Sequence, residues 1–315
     1  MNEYFRSVIL QATGASSLTE KEIIQELWSG YGNILRVALK DGNHKSIVVK
    51  HVKLSSDNEH PRGWKSDIGH QRKLKSYKVE TNWYDNYSKQ CRARLPYCLA
   101  IQKHKDEVLI VLEDLDAAGF PFRKQSITWD EIASCLDWLA TFHAGFMGRE
   151  PIGLWEAGTY WHLETRPQEL SVLKDKRLKG AAPIIDEKLN SCKFKTFVHG
   201  DAKLANFCFS GDGSVAGVDF QYVGGGCGMK DVAYFIGSCL SERECERLEP
   251  KILDTYFERL HNALGETNEA LEEEWRSLYR VAWADFHRFL KGWSPGHWKI
   301  NSYSEGVTAD VINSF

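Results

Sequence analysis

The first third of the chain alternates between short apolar runs and turn residues, a pattern typical of β-structure. Residues 34–40 and 46–52 have strand-like composition and flank the turn Asp41-Gly42-Asn43. Residues 96–103 and 107–112 form a second pair of runs, and the latter is almost entirely apolar. We interpret these four segments as strands of a small, sheet-rich region.

Two stretches of the same region have helical spacing instead. Ser17 and Glu20 have the spacing of a capping box, and the apolar residues that follow favour a helix over 17–27, ahead of the first strand. The longer segment 68–90 is also predicted to be helical. Between the strands and this segment, residues 54–66 are polar and predict a loop.

Amphipathic helices dominate the rest of the chain. Thr128 and Glu131 form a capping box ahead of an apolar stripe that includes His143. A lone histidine on such a stripe is usually a satisfied core residue, and we interpret His143 in that way. Ser241 begins a further predicted helix, and residues 268–292 carry a long aromatic stripe.

Composition narrows the class of protein. The 315 residues carry 40 Lys and Arg against 43 Asp and Glu, a net charge of −3, which argues against nucleic acid as a partner. No stretch reaches 18 uninterrupted apolar residues, and the N-terminus does not resemble a secretory signal, so we expect a cytoplasmic protein without a membrane partner. The eight cysteines lack zinc-binding spacing and are expected to be free thiols, and the oligomeric state stays open.

Residues 198–221 hold the densest group of polar side chains suited to catalysis. Within them, 207–210 and 215–218 are short apolar runs. Asp212-Gly213 lies between these runs, and Asp-Gly in that position predicts a β-hairpin.

The predicted hairpin brings two metal-binding side chains together. With Asp212-Gly213 as a two-residue turn, Asn206 lies directly opposite Asp219, where β-carbons are about 4.5–5.5 Å apart. An amide oxygen beside a carboxylate suits Mg²⁺, which completes its shell with water and substrate phosphates. Asp201 precedes the hairpin and is free to accept a proton. This combination is typical of a phosphoryl-transfer site, and the alternative is an ordinary polar hairpin.

His199-Gly200-Asp201, Asn206 and Asp219-Phe220-Gln221 resemble the aminoglycoside phosphotransferase and choline kinase superfamily, and the Asp-Phe-Gln ending is nearest to its ecdysteroid-kinase-like branch. The resemblance implies Asp201 as the catalytic base, and Asn206 and Asp219 as metal ligands. It also implies that Lys203, two residues after the base, contacts the transferred phosphoryl group.

The fold implied by the resemblance is an α+β, protein-kinase-like fold with two lobes. A small β-rich N-lobe would cover residues 1–115 and a mainly helical C-lobe residues 116–315, with ATP and Mg²⁺ in the cleft between them. The apolar strand that ends at Leu112 resembles the hinge between kinase lobes. Backbone groups from Glu113 to Leu115 would therefore bind the adenine edge.

The same resemblance assigns the residues that bind the nucleotide phosphates. Gly30 and Gly32 would let backbone N–H groups approach phosphate oxygens, since glycine has no side chain, and the alternative is that they only form a turn. Lys50 is either a solvent-facing lysine at a strand end or the lysine that binds nucleotide phosphates, and the resemblance favours the second. Glu80 is the best candidate to orient Lys50, and Asp85 is its rival.

A glycine-rich segment, residues 222–228, takes the place of the activation segment of protein kinases. Its glycines imply tight turns or close approach to a ligand. Only ten residues separate Gln221 from Val232, which favours a metabolite over a protein as substrate. Asp231 is interpreted as support, either as a helix N-cap or, by resemblance, by holding the catalytic-loop backbone.

The acceptor-binding wall is the least defined part of the sequence. Residues 150–168 form an aromatic-rich irregular segment that is either a substrate wall or a cover over the core. Asp285 lies among aromatic residues, which could hold a cationic or amine acceptor by charge and cation–π contact, as choline kinases do. The alternative for these residues is a packed aromatic core.

The sequence therefore predicts an ATP-dependent kinase that transfers the γ-phosphoryl group to a hydroxyl of a metabolite or antibiotic-like alcohol. A catalytically silent nucleotide-binding scaffold is one alternative. A protein kinase is another, which the short glycine-rich segment disfavours. The many tryptophans favour an apolar or amine-bearing acceptor.

Overall fold

The computed structural model describes residues 1–27, 30–54 and 67–315. Within them, the chain forms a five-stranded antiparallel sheet, two small two-stranded sheets and a helical region. The predicted α+β kinase-like fold, with a β-rich N-lobe and a helical C-lobe, is therefore confirmed. Of the predicted loop 54–66, all but Leu54 lies outside the described residues.

The N-lobe is built on one antiparallel sheet with the strand order β1-β2-β3-β5-β4. Its elements along the chain are α1 (Glu3–Thr13), β1 (Ser17–Glu26), β2 (Gly32–Lys40), β3 (Ser46–Lys53), α2 (Asp67–Asn86), β4 (Cys98–His104) and β5 (Glu107–Glu113). The four predicted strands and the helix of segment 68–90 are all present.

Strand β1 replaces the helix predicted over 17–27, and that prediction was wrong. β1 pairs along its length with β2 at the edge of the sheet. Ile23 and Ile24, which helical spacing would bury, are exposed, and Glu20 accepts a hydrogen bond from the terminal amine of Met1 at 3.2 Å. A capping interaction is worth only about 1 kcal/mol, so pairing with a neighbouring strand can override it.

Alternation along the strands gives the sheet two different faces. One face packs with α1 in a cluster that includes Phe5, Ile9 and Val49. The opposite face carries Ile110, which packs in the same cluster as side chains of α2. Lys50 is paired with Ile110 across the β3–β5 ladder and so lies on the face that α2 covers. The strand register thus directs Lys50 toward α2.

The C-lobe is mainly helical, with short strands near the lobe interface. Its elements are α3 (Trp129–Gly145), α4 (Pro167–Val172), α5 (Lys176–Asn190), β6 (Thr196–Val198), β7 (Phe207–Phe209), β8 (Val215–Gly217), β9 (Gly224–Gly226), α6 (Met229–Cys239), α7 (Glu242–Leu264), α8 (Glu269–Trp293) and α9 (Ser302–Asn313). Capping boxes at Thr128 and Ser241 begin α3 and α7 as predicted. All eight cysteines are free thiols, and none of the described helices is long and apolar enough to cross a bilayer.

The predicted hairpin is present, but its turn is one residue longer than predicted. Phe209 pairs with Val215, and the backbone N–H of Ser210 donates to the carbonyl of Ser214 at 2.9 Å. Gly213 has φ of 87°, a conformation that favours glycine. A three-residue loop that ends on a left-handed glycine is a common alternative to the two-residue turn.

The longer turn shifts the register, so Asn206 does not lie opposite Asp219 as predicted. Asn206 is opposite Val218, whose backbone N–H donates to the Asn206 carbonyl at 3.0 Å. Asp219 is the next residue and has φ of 71°. Its side chain therefore leaves a sharply turned backbone rather than the ladder of the hairpin.

Candidate active site

The carboxylate of Asp201 lies on the buried loop between β6 and β7. Its Oδ2 accepts hydrogen bonds from Lys203 Nζ and from the side-chain amide of Asn206, both at 3.0 Å. The Asn206 amide also donates to the main-chain carbonyl of Asp201 at 2.7 Å. Oδ1 of Asp201 is buried and has no hydrogen-bond partner among the described residues. One carboxylate oxygen is thus fixed, and the other can accept a hydrogen bond from a bound hydroxyl.

Asp231 holds the backbone of this loop, as the resemblance implied. Its carboxylate accepts the backbone N–H groups of His199 at 2.5 Å and Gly200 at 2.9 Å. The N-cap alternative is wrong, because α6 begins at Met229 and Asp231 is its third residue. The loop that carries Asp201 is therefore positioned by a fully buried charge on a core helix.

His143 is a buried core residue with both ring nitrogens paired, as predicted. Nε2 lies 3.1 Å from the Asp231 carboxylate, and Nδ1 lies 2.7 Å from the hydroxyl of Tyr256. Burial raises the pKa of Tyr256 well above its ordinary value, so its hydroxyl keeps the proton that it donates to Nδ1. His143 then donates from Nε2 and helps to fix Asp231.

The glycines around this loop allow close packing of backbone against backbone. Gly200 has φ of 79°, and a Cβ there would lie 2.2 Å from the carbonyl oxygen of Tyr222. In the glycine-rich segment, Gly224 begins β9, and a Cβ on it would lie 2.2 Å from the carbonyl oxygen of Trp155. Backbone packing therefore requires glycine at positions 200 and 224.

Asn206 and Asp219 retain oxygens that could bind a cation. The Asn206 amide nitrogen is donated to Asp201, and its amide oxygen accepts no hydrogen bond from any described residue. Oδ1 of Asp219 is buried without a hydrogen-bond partner among the described residues, 3.5 Å from Lys50 Nζ. One amide and one carboxylate oxygen fit Mg²⁺ that takes its remaining ligands from water and phosphates.

No larger metal-binding set accompanies this pair. Within the described ranges, no group of three or more His, Cys, Asp and Glu side chains could hold a metal ion. A cation at Asn206 and Asp219 would therefore depend on substrate oxygens for much of its coordination.

The pKa values of the Asp201 and Asp219 carboxylates are shifted in opposite directions. Burial, together with the negative charge of Asp219, raises the pKa of Asp201, and Lys203 only partly opposes the rise. For Asp219, burial acts in the same direction, but the positive charges of Lys50, Lys73 and Lys203 outweigh it and lower its pKa. Asp201 is thus the more basic of the two, and Asp219 stays ionised, which is a division of roles typical of paired catalytic carboxylates.

Lys50 and Glu80 form a buried ion pair. Lys50 Nζ lies 2.7 Å from Oε2 and 2.8 Å from Oε1 of Glu80, and both side chains are almost fully buried. The rival carboxylate, Asp85, is exposed on the other side of α2. Burial alone would lower the pKa of Lys50, but Glu80 and Asp219 raise it, so the ammonium keeps its charge.

A further lysine of the site, on α2, was missed by sequence reasoning. Lys73 donates to Oε1 of Gln221 at 2.8 Å, and Ser76 lies 3.4 Å from the same oxygen. Gln221 thereby joins α2 to the segment that carries Asp219. Lys73 lies seven residues before Glu80, two helical turns, so helix periodicity was a usable signal for it.

Gly30 lies between β1 and β2, and Gly32 is the first residue of β2, while Trp28 and Ser29 are outside the described residues. Gly32 has φ of 126°, and a Cβ there would lie 2.0 Å from the carbonyl oxygen of His51 on β3. The close approach of β3 therefore requires glycine at position 32. Gly30 is exposed, with φ of 72°.

The segment after β5 is anchored by side chains. The Glu113 side chain is already paired, because it accepts a hydrogen bond from Arg94 at 2.9 Å. Asp114 accepts two hydrogen bonds from Arg36 at 2.7 Å, which fixes the segment to β2. The backbone N–H of Leu115 has no partner among the described residues and is available to an adenine edge.

Two tyrosines form a wall beside Asp201. The hydroxyl of Tyr234 donates to that of Tyr160 at 3.2 Å, and the backbone N–H of Tyr160 donates to the Gly200 carbonyl at 3.1 Å. Burial and the negative charge of Asp201 raise the pKa of both phenols, so both stay protonated. Tyr160 belongs to the aromatic-rich segment 150–168, for which a substrate wall was one of the two interpretations, whereas no local motif marked Tyr234.

Asp285 does not line an open amine-binding pocket. It is fully buried, accepts from Arg288 at 2.7 Å and accepts the indole N–H of Trp161 at 3.0 Å. Its charge is therefore neutralised inside the aromatic core, and the packed-core alternative is the correct one.

The fold and this buried loop define the class of protein as kinase-like, and solved structures share the fold. A protein assigned as an aminoglycoside phosphotransferase from Ralstonia eutropha JMP134 is 10% identical, with a TM-score of 0.55, and the match covers 99% of this chain and 94% of that one. A protein assigned as a fructosamine-3-kinase from Haemophilus somnus 129PT is 12% identical, with a TM-score of 0.51 over 98% and 96% of the two chains. The macrolide 2'-phosphotransferase of Brachybacterium faecium is 11% identical, with a TM-score of 0.50 over 98% and 97%.

A family model matches part of the chain. Residues 159–269 match the model of the ecdysteroid kinase-like family. This segment contains the catalytic-loop motif, so the resemblance to this branch of the aminoglycoside phosphotransferase and choline kinase superfamily is confirmed. None of the curated protein sequences compared with the chain matches it. The chain is thus similar to this family over residues 159–269 and shares the kinase-like fold of the solved structures.

Proposed function

We propose that this protein is an ATP-dependent kinase that phosphorylates a hydroxyl of a small organic acceptor. The observation that carries the proposal is the carboxylate of Asp201. Lys203 and Asn206 hold one of its oxygens, and the other is buried without a hydrogen-bond partner among the described residues. A carboxylate fixed in this way is suited to orient an alcohol and to accept its proton.

The proposed reaction is a direct displacement at the γ-phosphorus of ATP. The acceptor oxygen forms a bond to that phosphorus, the bond to the β–γ bridging oxygen breaks, and ADP leaves. The hydroxyl proton goes to Asp201. Lys203 lies 3.0 Å from Asp201 and would balance the negative charge of the transferred group. Most of the rate enhancement would come from positioning and charge stabilisation.

The remaining site residues would bind the nucleotide. Lys50, oriented by Glu80, would contact the α- and β-phosphates, and the Leu115 N–H would meet the adenine edge. Asn206 and Asp219 would hold Mg²⁺, which supplies neutralisation of the phosphate charge.

A coupled ADP-release assay tests the proposal over a panel of aminoglycosides, choline-like amines, sugars and sterols, with mass spectrometry of the phosphorylated product. We expect Asp201→Asn to lower kcat by about 10²–10⁴-fold, because the general base is lost. ATP binding, measured by thermal shift, should be largely retained. Asp212→Asn makes the same change at the exposed hairpin tip and should keep full activity.

Two outcomes would contradict the proposal. Full turnover of Asp201→Asn at saturating acceptor would remove Asp201 from the role of base. If the wild type binds ATP but releases ADP with none of the acceptors in the panel, the result would instead support a silent nucleotide-binding scaffold.

A further inference from the structure

A lysine near the tyrosine wall has no part in the proposed phosphoryl transfer. Lys299 lies in the connection between α8 and α9, and its side chain is partly buried. Its amine lies 5.0 Å from the centroid of the Tyr234 ring and 5.6 Å from that of Phe286. In the described part of the chain, no carboxylate lies within ion-pair distance of this amine.

Two buried arginines of the C-lobe have acidic partners, while the buried Lys230 donates to the side chain of Asn190 at 3.5 Å. Arg288 pairs with Asp285 at 2.7 Å, and Arg166 pairs with Glu169 at 3.0 Å. Removing an ammonium from water without a counter-charge is unfavourable, and contact with aromatic faces offsets only part of the lost hydration energy. Lys299 is therefore a cation that a bound anion would stabilise.

Lys299 is also within electrostatic reach of the catalytic loop. Burial lowers the pKa of Lys299 to about 8. The negative charge of Asp201 raises this pKa, and the positive charge of Lys203 lowers it. Tyr234, whose ring the amine covers, donates to Tyr160 in the wall beside Asp201. A molecule whose hydroxyl meets Asp201 would thus have Lys203 and Lys299 as neighbouring positive charges.

The same arrangement disfavours a cationic acceptor. The faces of Tyr234 and Phe286, which could bind an organic ammonium, are already covered by the Lys299 amine. Asp285, the carboxylate that could have attracted an amine, is neutralised by Arg288. An amine-bearing acceptor would meet repulsion from Lys299 without a free counter-charge.

We propose that Lys299 is a specificity-determining residue of the acceptor site, and that the acceptor is a hydroxyl compound that carries an oxyanion bound by the Lys299 amine. The inference deepens the proposed function and rests on it, since it names the class of acceptor for the same site. Carboxylate, sulfate and phosphate groups all supply such an oxyanion and share the chemistry that a lysine recognises.

Matched acceptors of equal size test this inference. Glucuronate, glucose and glucosamine form one anionic, neutral and cationic series. The benzyl alcohols with a para carboxylate, no substituent and a para aminomethyl group form a second series. Glucose 6-sulfate and glucose 6-phosphate distinguish the sources of the oxyanion. The readout is kcat and KM for each acceptor by ADP release.

For the wild type, we expect kcat/KM to be about tenfold or more higher for the anionic than for the neutral member, because a hydrogen bond to a charged group is gained. The cationic member should be the poorest. Lys299→Gln should remove most of this preference through the KM of the anionic acceptor, and Lys299→Arg should restore it. Lys251, which lies over the Trp129 ring on the surface, provides the control Lys251→Gln, which should keep the preference.

Equal use of the anionic and neutral members by the wild type would overturn the inference, as would an equal loss of kcat for every acceptor in Lys299→Gln. A binding measurement separates this result from failure of the proposed function. If no acceptor releases ADP, calorimetry with the ADP-bound protein should still show tighter binding of glucuronate than of glucose. Equal binding, or none by either, would reject the role of Lys299.

Discussion

The side-chain amide of Asn206 donates to Oδ2 of Asp201 at 3.0 Å, so a candidate metal ligand also positions the candidate base. The amide nitrogen makes a second bond to the Asp201 carbonyl at 2.7 Å, which leaves the amide oxygen as the atom that can face a cation. Binding of the cation and orientation of the base are therefore linked through one side chain.

Replacement of Asn206 should disturb both functions at once. We expect Asn206→Ala to raise the Mg²⁺ concentration for half-maximal activity by about tenfold or more and to lower kcat, because a metal ligand and a support of Asp201 are lost together. The measurement is ADP release over a Mg²⁺ titration at fixed ATP. Asn86→Ala, at an exposed position of α2, is the matched control. An unchanged Mg²⁺ dependence would show that Asn206 is not a ligand.

The buried pair of Lys50 and Glu80 should dominate the stability of the N-lobe cleft. Lys50→Met should lower the free energy of unfolding by about 3–5 kcal/mol, because it leaves Glu80 buried and unpaired. Glu80→Met should cost less, since Asp219 remains 3.5 Å from Lys50. The double variant should be more stable than Lys50→Met alone.

Urea unfolding of the two single variants and the double variant measures these differences. Arg280→Met breaks the pair between the exposed Arg280 and the partly buried Glu249 and should change the free energy of unfolding by less than about 1 kcal/mol. A double variant no more stable than Lys50→Met would mean that the cost does not come from an uncompensated charge.

Much of the fold could be predicted from local signals. The strands β2 to β5 were recognisable because alternation and apolar runs reflect the two faces of a sheet. Capping boxes at Thr128 and Ser241 marked the starts of α3 and α7, because the pattern there coincides with long amphipathic stripes. The same capping pattern at Ser17 led to a wrong prediction of a helix. β1 is an edge strand, and its exposed residues show little alternation of apolar and polar positions.

The candidate site was predictable where its residues are close in sequence. Asp201, Asn206 and Asp219 lie within one short motif, and the hairpin between them is encoded by Asp212-Gly213. The register of that hairpin was not predictable, because two-residue and three-residue loops share the same residue types. A type I′ turn needs positive φ at both central residues, and of Asp212 and Gly213 only Gly213 has it.

Long-range contacts account for what sequence reasoning missed. Arg36 reaches Asp114 and Lys73 reaches Gln221 across 78 and 148 residues of chain. Lys299 has no recognisable motif, and only the packing of the α8–α9 connection brings it toward the tyrosine wall. Pairings of this kind depend on the folded topology and leave no local pattern.

The pH dependence of activity should follow the state of Asp201. Its pKa is raised above the ordinary value of about 3.9, and only the ionised form can accept a proton, so kcat/KM should fall as the pH drops through the raised pKa. Lys203 is the strongest influence that lowers this pKa, so Lys203→Met should move the acid limb to higher pH by about one unit or more. The profile is measured by ADP release at saturating ATP, with Lys251→Met as the control that should leave the midpoint unchanged. A midpoint that stays in place or moves to lower pH in Lys203→Met would show that a group other than Asp201 limits the rate in acid.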